Sequence, residues 1–374
     1  MNQIPPLDLT EQYKSIGAEV NAAVLEVLAS GRYINGPVVS QFEQAFADYI
    51  GAATCIACNS GTDALFLALR AFNIGVGDEV ITSPFTFIAT AEMISAAGAT
   101  PVFVDIDPQT YNLDLQQIEA AITPKTKAIM PVHLFGHPVD MTELTAIAQT
   151  HQLLVIEDCA QAVGAAWNGV RVGNIGQIGC FSFYPTKNLG ACGDGGAITV
   201  NDAAIADRIR LLRDHGRREG YIHEEVGVNS RLDAVQAAIL SIKLRYLDTW
   251  NAGRQVVAER YHQLLEHVPG IILPQALPDG QAVWNQYTIR IPASPQGNNR
   301  DRVRQHLQQQ GIISMIYYPL PLHLQPVYKF LGYQPGQLPV SEQLANEVLS
   351  LPMYPELTLE QQERVVYALK DSLS

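Results

Sequence analysis

Lys187 stands between two unlike stretches, the apolar run Cys180-Phe181-Ser182-Phe183-Tyr184 and a glycine-rich run containing Gly190, Gly193, Gly195 and Gly196. A lysine there either occupies a solvated turn or offers a partly desolvated amine, whose lowered pKa makes it a nucleophile near neutral pH. Three other clusters bear on the choice. Asn59-Ser60-Gly61-Thr62-Asp63 lies between a strand-like and a helix-like segment. Small residues at such a junction leave backbone N–H groups free at a helix N-terminus, which suits a phosphate and equally an ordinary helix cap. Glu157-Asp158-Cys159-Ala160-Gln161 ends the apolar run 153–156, so an acid there must find a cation or hydrogen-bond donors. Gly227-Val228-Asn229-Ser230-Arg231-Leu232-Asp233 precedes another helix-like segment.

One cofactor uses all of these residue types together. Pyridoxal 5'-phosphate requires a lysine for its aldehyde and a carboxylate that keeps its pyridine nitrogen protonated. It also requires hydroxyls and helix-end N–H groups for its phosphate, and a flat side chain against its ring. Lys187, Asp158, Thr62 with Ser182, and Phe87 can fill those roles. The glycines would let the backbone come close. A nicotinamide site does not fit, because Gly190-Ala191-Cys192-Gly193-Asp194-Gly195-Gly196 does not match G-x-G-x-x-G and precedes a strand. Zinc on His133, His137, His215 and His223 would need spacings unlike the common ligand sets. Cys55 and Cys58 form C-x-x-C without a second pair, and read as small buried residues on a strand.

Positioning these residues falls to alternating elements. Short apolar runs at 53–59, 78–84, 100–106, 126–134, 153–160, 179–185 and 195–201 read as strands, and helical patterns follow most of them. Unbroken apolar runs mark a sheet covered on both faces, so the expected fold is α/β with a mostly parallel, doubly wound sheet. Helices are expected over 206–216 and from Ser230, as N-cap, to about residue 250, continuing to Pro269. Beyond lies a smaller α+β segment with strands expected at 284–291 and 313–319 and surface loops at 292–299 and 332–339. The expected division is residues 1–250, an N-terminal arm and large α/β domain, and 251–374, a small C-terminal domain.

The 374 residues are 47% hydrophobic and 16% charged, enough for a sizeable core, with a net charge of -13. That acidity argues against nucleic acid or an anionic membrane as partner, while a few local donors can still hold a small anion. No signal peptide or membrane helix is read. Five scattered cysteines fit a reducing, cytoplasmic location.

The segments SGTDAL, SPFTFIATAE, VDIDPQTYNLD, IEDCAQAVGA, SFYPTKNLGACGDGGA and GVNSRLDAVQAAIL resemble the DegT/DnrJ/StrS sugar aminotransferases, from about residue 4 to the C-terminus. The resemblance implies a fold type I pyridoxal-phosphate enzyme, a homodimer with active sites at the subunit interface. It makes Lys187 the cofactor-binding, proton-shuttling lysine. Asp158 becomes the partner of the pyridine nitrogen and Gln161 a contact of the ring-side oxygen. Gly61, Thr62 and Ser182 become phosphate ligands, Asn229 a phosphate ligand from the other subunit, and Phe87 the stacking ring. A branch with histidine in place of this lysine performs dehydration, so Lys187 implies transamination. Residues 314–326 resemble enzymes that use L-glutamate to aminate C3 of dTDP-linked 3-keto-6-deoxyhexoses. Tyr184, Arg231, Tyr317, Tyr318 and His323 are the candidate substrate contacts, Tyr317 and Tyr318 fitting the core of the small domain equally well, while Arg217 and Arg218 either sit in a solvated loop or meet the nucleotide diphosphate across the interface. That branch more often has histidine at the position of Tyr317. A branch aminating UDP-linked 3-keto uronic acids shares the segment 227–240, and there Arg231 could meet the uronate; C4-keto sugar nucleotides stay open as well. A sensor that binds without turnover is the reading from another class.

Overall fold

The computed structural model describes residues 3–293 and 299–373. The apolar runs form a seven-stranded sheet: β1 (Thr54–Cys58), β2 (Glu79–Thr82), β3 (Thr100–Phe103), β4 (Thr126–Met130), β5 (Leu154–Asp158), β6 (Ile178–Ser182) and β7 (Gly196–Val200). Their order is β1-β7-β6-β5-β4-β2-β3. Only β7 is antiparallel to its neighbours, β1 and β6. The carboxyl ends of β1, β2, β5 and β6 therefore share one edge of the sheet, and the connection 183–195 crosses that edge. In open α/β sheets this is where ligands bind.

Alternation along β6 and the residue after it sets which face of the sheet each side chain meets. Phe181 and Phe183 are fully buried against Phe42 and Phe46, with centroids 5.0–5.5 Å apart and edge-to-face geometry. Each such ring contributes about 1.5–3 kcal/mol by burial. Successive side chains on a strand point to opposite faces, so anchoring Phe181 and Phe183 sends Ser182 to the other side.

The last third of the chain forms a second apolar cluster around Tyr261, Tyr287, Ile289, Leu349 and Leu369, with β8 (Tyr287–Arg290) antiparallel to β9 (Val348–Leu351). A single helix, Ala234–Leu265, joins the two cores and passes unbroken through residue 250. Ile4 packs with the second cluster. The proposed division into 1–250 and 251–374 is thus one of cores, drawn across a continuous helix.

Two expectations are corrected, and a third falls largely outside the described residues. The long helix begins at Ala234 with Asp233 in the cap position, because the Ser230 hydroxyl is bonded instead to Asn59 Oδ1 at 3.1 Å. Residues 313–319 form no strand; Met315 makes one isolated bridge to Ser350, and the chain then turns toward the large domain. The expected loop at 292–299 falls mainly on 294–298, outside the described residues, and Asn299 already opens a helix. Among the described residues no helix is long and apolar enough to cross a membrane.

Candidate active site

At the shared sheet edge the turn after β1 leads into the helix Gly61–Ala71. Ser60 caps it, its hydroxyl accepting from the Asp63 N–H at 3.1 Å. The cap serves only one of the orphan donors at a helix start, leaving the Gly61 and Thr62 N–H groups to a ligand. A Cβ on Gly61 would stand 2.6 Å from Ser182 Cβ, so glycine lets the helix start sit directly against β6. Gly196 is needed for a related reason, since a side chain there would run into the Ser60 carbonyl. The glycine-rich run thus packs the chain closely upon itself, Gly190 against Pro185 and Gly196 against Ser60.

Asp158 ends β5, almost fully buried. Its Oδ1 accepts from Ala160 N–H at 3.1 Å and its Oδ2 from the Thr90 hydroxyl at 2.9 Å. Burial raises its pKa; those two hydrogen bonds and the charges of Lys187 and His133 pull the other way. Gln161 accepts the Phe135 N–H through Oε1 at 2.7 Å and donates through Nε2 to the Tyr318 hydroxyl at 3.2 Å. Burial keeps that phenol protonated well above its usual range, so its own O–H is free to donate. Tyr318 also packs edge-on against Phe85, serving core and site together. Phe87 and Tyr184 are 57% and 53% exposed at the same edge, their rings uncovered.

Lys187 lies in the turn after β6, its N–H held by the Tyr184 carbonyl at 2.9 Å. Its neighbour Asn188 is buried and fixed on both sides. Asn188 donates to Asn251 Oδ1 at 2.8 Å and the Val283 carbonyl at 2.9 Å, and accepts from Asn285 at 2.8 Å. Burial lowers the Lys187 amine to about 8, with the Asp158 charge partly opposing the shift. Only the neutral amine attacks an aldehyde. Capture of pyridoxal phosphate by cofactor-free protein should therefore quicken about tenfold per pH unit below 8 and level off above it. A stopped-flow profile still rising at pH 10 would mean an unperturbed lysine.

The structure does not bring every candidate here. Arg231 is ion-paired to Asp214 at 2.8 Å, and Asp214 also holds Arg217 at 2.6 Å. Arg218 pairs with Asp207 and Glu224. His323 is 1% exposed and bonded to Glu342 at 3.2 Å, closed to any substrate in this geometry. Asn229 is exposed, directed away from the core while Ser230 docks on Asn59. Tyr317 is half-buried beside Tyr318.

Sequence reasoning left Thr90 and the neighbour of Asp158 unassigned. An acid at the end of this run was expected to find a cation or hydrogen-bond donors, and for Glu157 the donors are backbone amides and not an arginine. It accepts the N–H groups of Gly173, Ile175 and Gly176 at 2.7–2.9 Å and meets His133 Nε2 at 3.1 Å. His133, Glu157 and Cys159 are the group among the described residues whose spacing could suit a metal. With the carboxylate already saturated by backbone donors, that cluster reads as a structural lock on the end of β5. His215 and His223 lie instead on an exposed hairpin.

The residues that do converge fit pyridoxal phosphate: a desolvated amine, a buried carboxylate, a donor-lined cup and uncovered aromatic rings. Comparison with known proteins agrees. The chain is 51% identical, over 97% of its length and 96% of the relative's, to a Geobacillus stearothermophilus protein named a pleiotropic regulatory protein. It is 48% identical, over 98% of both chains, to the dTDP-3-amino-3,6-dideoxy-alpha-D-galactopyranose transaminase of Aneurinibacillus thermoaerophilus. The solved structure of S. venezuelae DesV in complex with a ketimine intermediate matches with a TM-score of 0.95 at 45% identity, covering 99% of this chain and 98% of that one. The model of one family spans residues 14–370, and the chain belongs to it: the DegT/DnrJ/EryC1/StrS aminotransferase family.

Proposed function

We propose that the protein is a pyridoxal-phosphate-dependent nucleotide-sugar transaminase. It moves the amino group of L-glutamate to C3 of a dTDP-linked 3-keto-6-deoxyhexose, giving a 3-amino-3,6-dideoxyhexose. The observation that carries the reading is the depressed Lys187 amine beside the buried Asp158 carboxylate. The sugar class is supported by a relative of nearly equal length whose name gives a dTDP-3-amino-3,6-dideoxyhexose. Bound cofactor supplies an electron sink for the carbon that loses its proton. Lys187 Nζ takes and returns that proton, Asp158 holds the proton on the pyridine nitrogen, and Gly61, Thr62 and Ser182 grip the phosphate. Gln161 and the Tyr318 O–H fix the ring-side oxygen, and Phe87 covers the ring face.

A homodimer with shared sites is part of the proposal. Its support is the exposed apolar surface of the segment before Asn229, where Tyr221 is 93% exposed and Ile222 and Val226 are also uncovered. Asn229 would then serve the neighbouring subunit. Tyr184 and Tyr317 remain proposed sugar contacts. A cytoplasmic location agrees with five free cysteines, four of them buried. A UDP-linked uronic acid would need a free cation, and Arg231 is committed to Asp214. The regulatory name of one relative favours no separate reading here, because a pure sensor has no use for Lys187 and Asp158 together.

The test is a visible spectrum of the loaded protein. L-Glutamate should bleach the cofactor band, and one member of a panel of keto-sugar nucleotides should restore it. A band indifferent to every amino donor would reject the transaminase.

A further inference from the structure

Thr90 lies in the first turn of the helix Ala89–Ala96, and Thr86 in the bend before it. Both are buried, 1% and 4% exposed. The Thr90 hydroxyl donates to Asp158 Oδ2 at 2.9 Å and stands 3.1 Å from the Thr86 hydroxyl. A hydroxyl has one proton to give, and an ionised carboxylate only accepts. Thr90 therefore spends its proton on Asp158, and the bond between the two threonines must be donated by Thr86. The chain runs one way, from Thr86 to Thr90 to Asp158.

The carboxylate has few other supports. Oδ1 accepts the Ala160 N–H at 3.1 Å, while Lys187 and His133 act on it as charges without a hydrogen bond. Burial opposes the ionised form, and each donor favours it. The terminal torsion of an aspartate is broad, so one donor on each oxygen also fixes its orientation. The same threonine reaches the element proposed to cover the ring, since its N–H is bonded to the Phe87 carbonyl at 3.3 Å. Its hydroxyl thus serves the residue proposed at the ring nitrogen, and its backbone the residue proposed at the ring face. A proton shared between a ring nitrogen and a carboxylate stays on the nitrogen while the carboxylate is the weaker base. Taking one donor from a buried carboxylate makes it a stronger competitor for that proton.

We propose that Thr90, backed by Thr86, is a positioning residue for the cofactor: its donation to Asp158 Oδ2 keeps the carboxylate ionised and in one orientation, so that the shared proton stays on the ring nitrogen. The inference rests on the transaminase reading and deepens it. A threonine present only to pack the helix start could be replaced by valine, which has nearly the same shape, without effect on that proton.

The probe is pyridoxal phosphate carrying a ¹⁵N ring nitrogen, whose resonance in the loaded protein reports whether that nitrogen is protonated. Wild type should show the protonated signal. A hydrogen bond to a charged group is worth about tenfold or more in an equilibrium. Thr90→Val should therefore move the signal toward the unprotonated position, lower by about one unit the pH at which the nitrogen gives up its proton, and slow both half-reactions. Thr90→Ser keeps the hydroxyl and should keep the wild-type signal. Thr86→Val should act in the same sense by less, and it carries the test if Thr90→Val does not fold. An unprotonated signal in wild type overturns the proposal. So does an unchanged signal in Thr90→Val, or in Thr86→Val where the first variant does not fold, and so does a Thr90→Ser signal that matches Thr90→Val. The expected signals without amino transfer from any donor would keep the threonine chain and remove the transaminase instead.

Discussion

Lys187→Ala should leave the protein folded and slow amino transfer at least about 10⁴-fold, since covalent attachment and proton transfer are lost together. The fold should survive because the Lys187 side chain carries none of the local structure. Its backbone N–H holds the turn and Asn188 anchors the loop, and both persist in alanine. Two stability effects oppose each other. Removing a partly desolvated cation relieves its desolvation, and it also takes a favourable charge from Asp158. A net change within about 1 kcal/mol is expected, measurable by denaturant titration. Loss of activity with loss of fold would leave the role of the amine unproved. Chemical rescue separates the cases: a small primary amine added to Lys187→Ala should restore part of the proton transfer, which it cannot do for a collapsed loop. Undiminished transfer by Lys187→Ala would sink the assignment.

The residues that made this prediction possible were legible because their signals are local. Strands covered on both faces read as unbroken apolar runs. The alternation Phe181-Ser182-Phe183 already divides the side chains between two faces, and a small-residue turn before a helix reads as a helix cap with N–H groups to spare. What stayed hidden was pairing across the fold. Nothing in the spacing couples Thr90 to Asp158, Glu157 to the amides of 173–176, Arg231 to Asp214 or His323 to Glu342, because topology sets those distances. Arginine and histidine in a suggestive motif therefore looked available for substrate when each already had a partner. The same limit applies to 313–319, whose apolar character suits a strand while β8 takes Val348–Leu351 as its partner. It applies in the opposite sense to Arg254, which reads as one more charge on a long helix and proves to be buried.

Asp158→Asn should separate function from stability in opposite directions. The replacement is isosteric: its carbonyl oxygen can still accept the Ala160 N–H, and its amide can donate to Thr90 Oγ1. What disappears is the charge. Burial raises the Asp158 pKa above its unfolded value. Between those two values the folded state binds the extra proton, so stability falls as pH rises through the window and the penalty persists above it. Asparagine has no such penalty, so cofactor-free Asp158→Asn should be no less stable than wild type at pH 7, and the two should converge at acid pH. Activity should move the other way. Without a carboxylate to hold the pyridine proton the ring is a poorer electron sink, and removing one such electrostatic partner costs about 10²–10³-fold in kcat. The loss should fall on both half-reactions alike, because the ring serves both. A loss confined to one half-reaction would mean that Asp158 acts on a substrate and not on the cofactor. A less stable cofactor-free variant would mean that Asp158 is ionised in a structural pair, which the lack of any arginine or lysine bonded to it argues against.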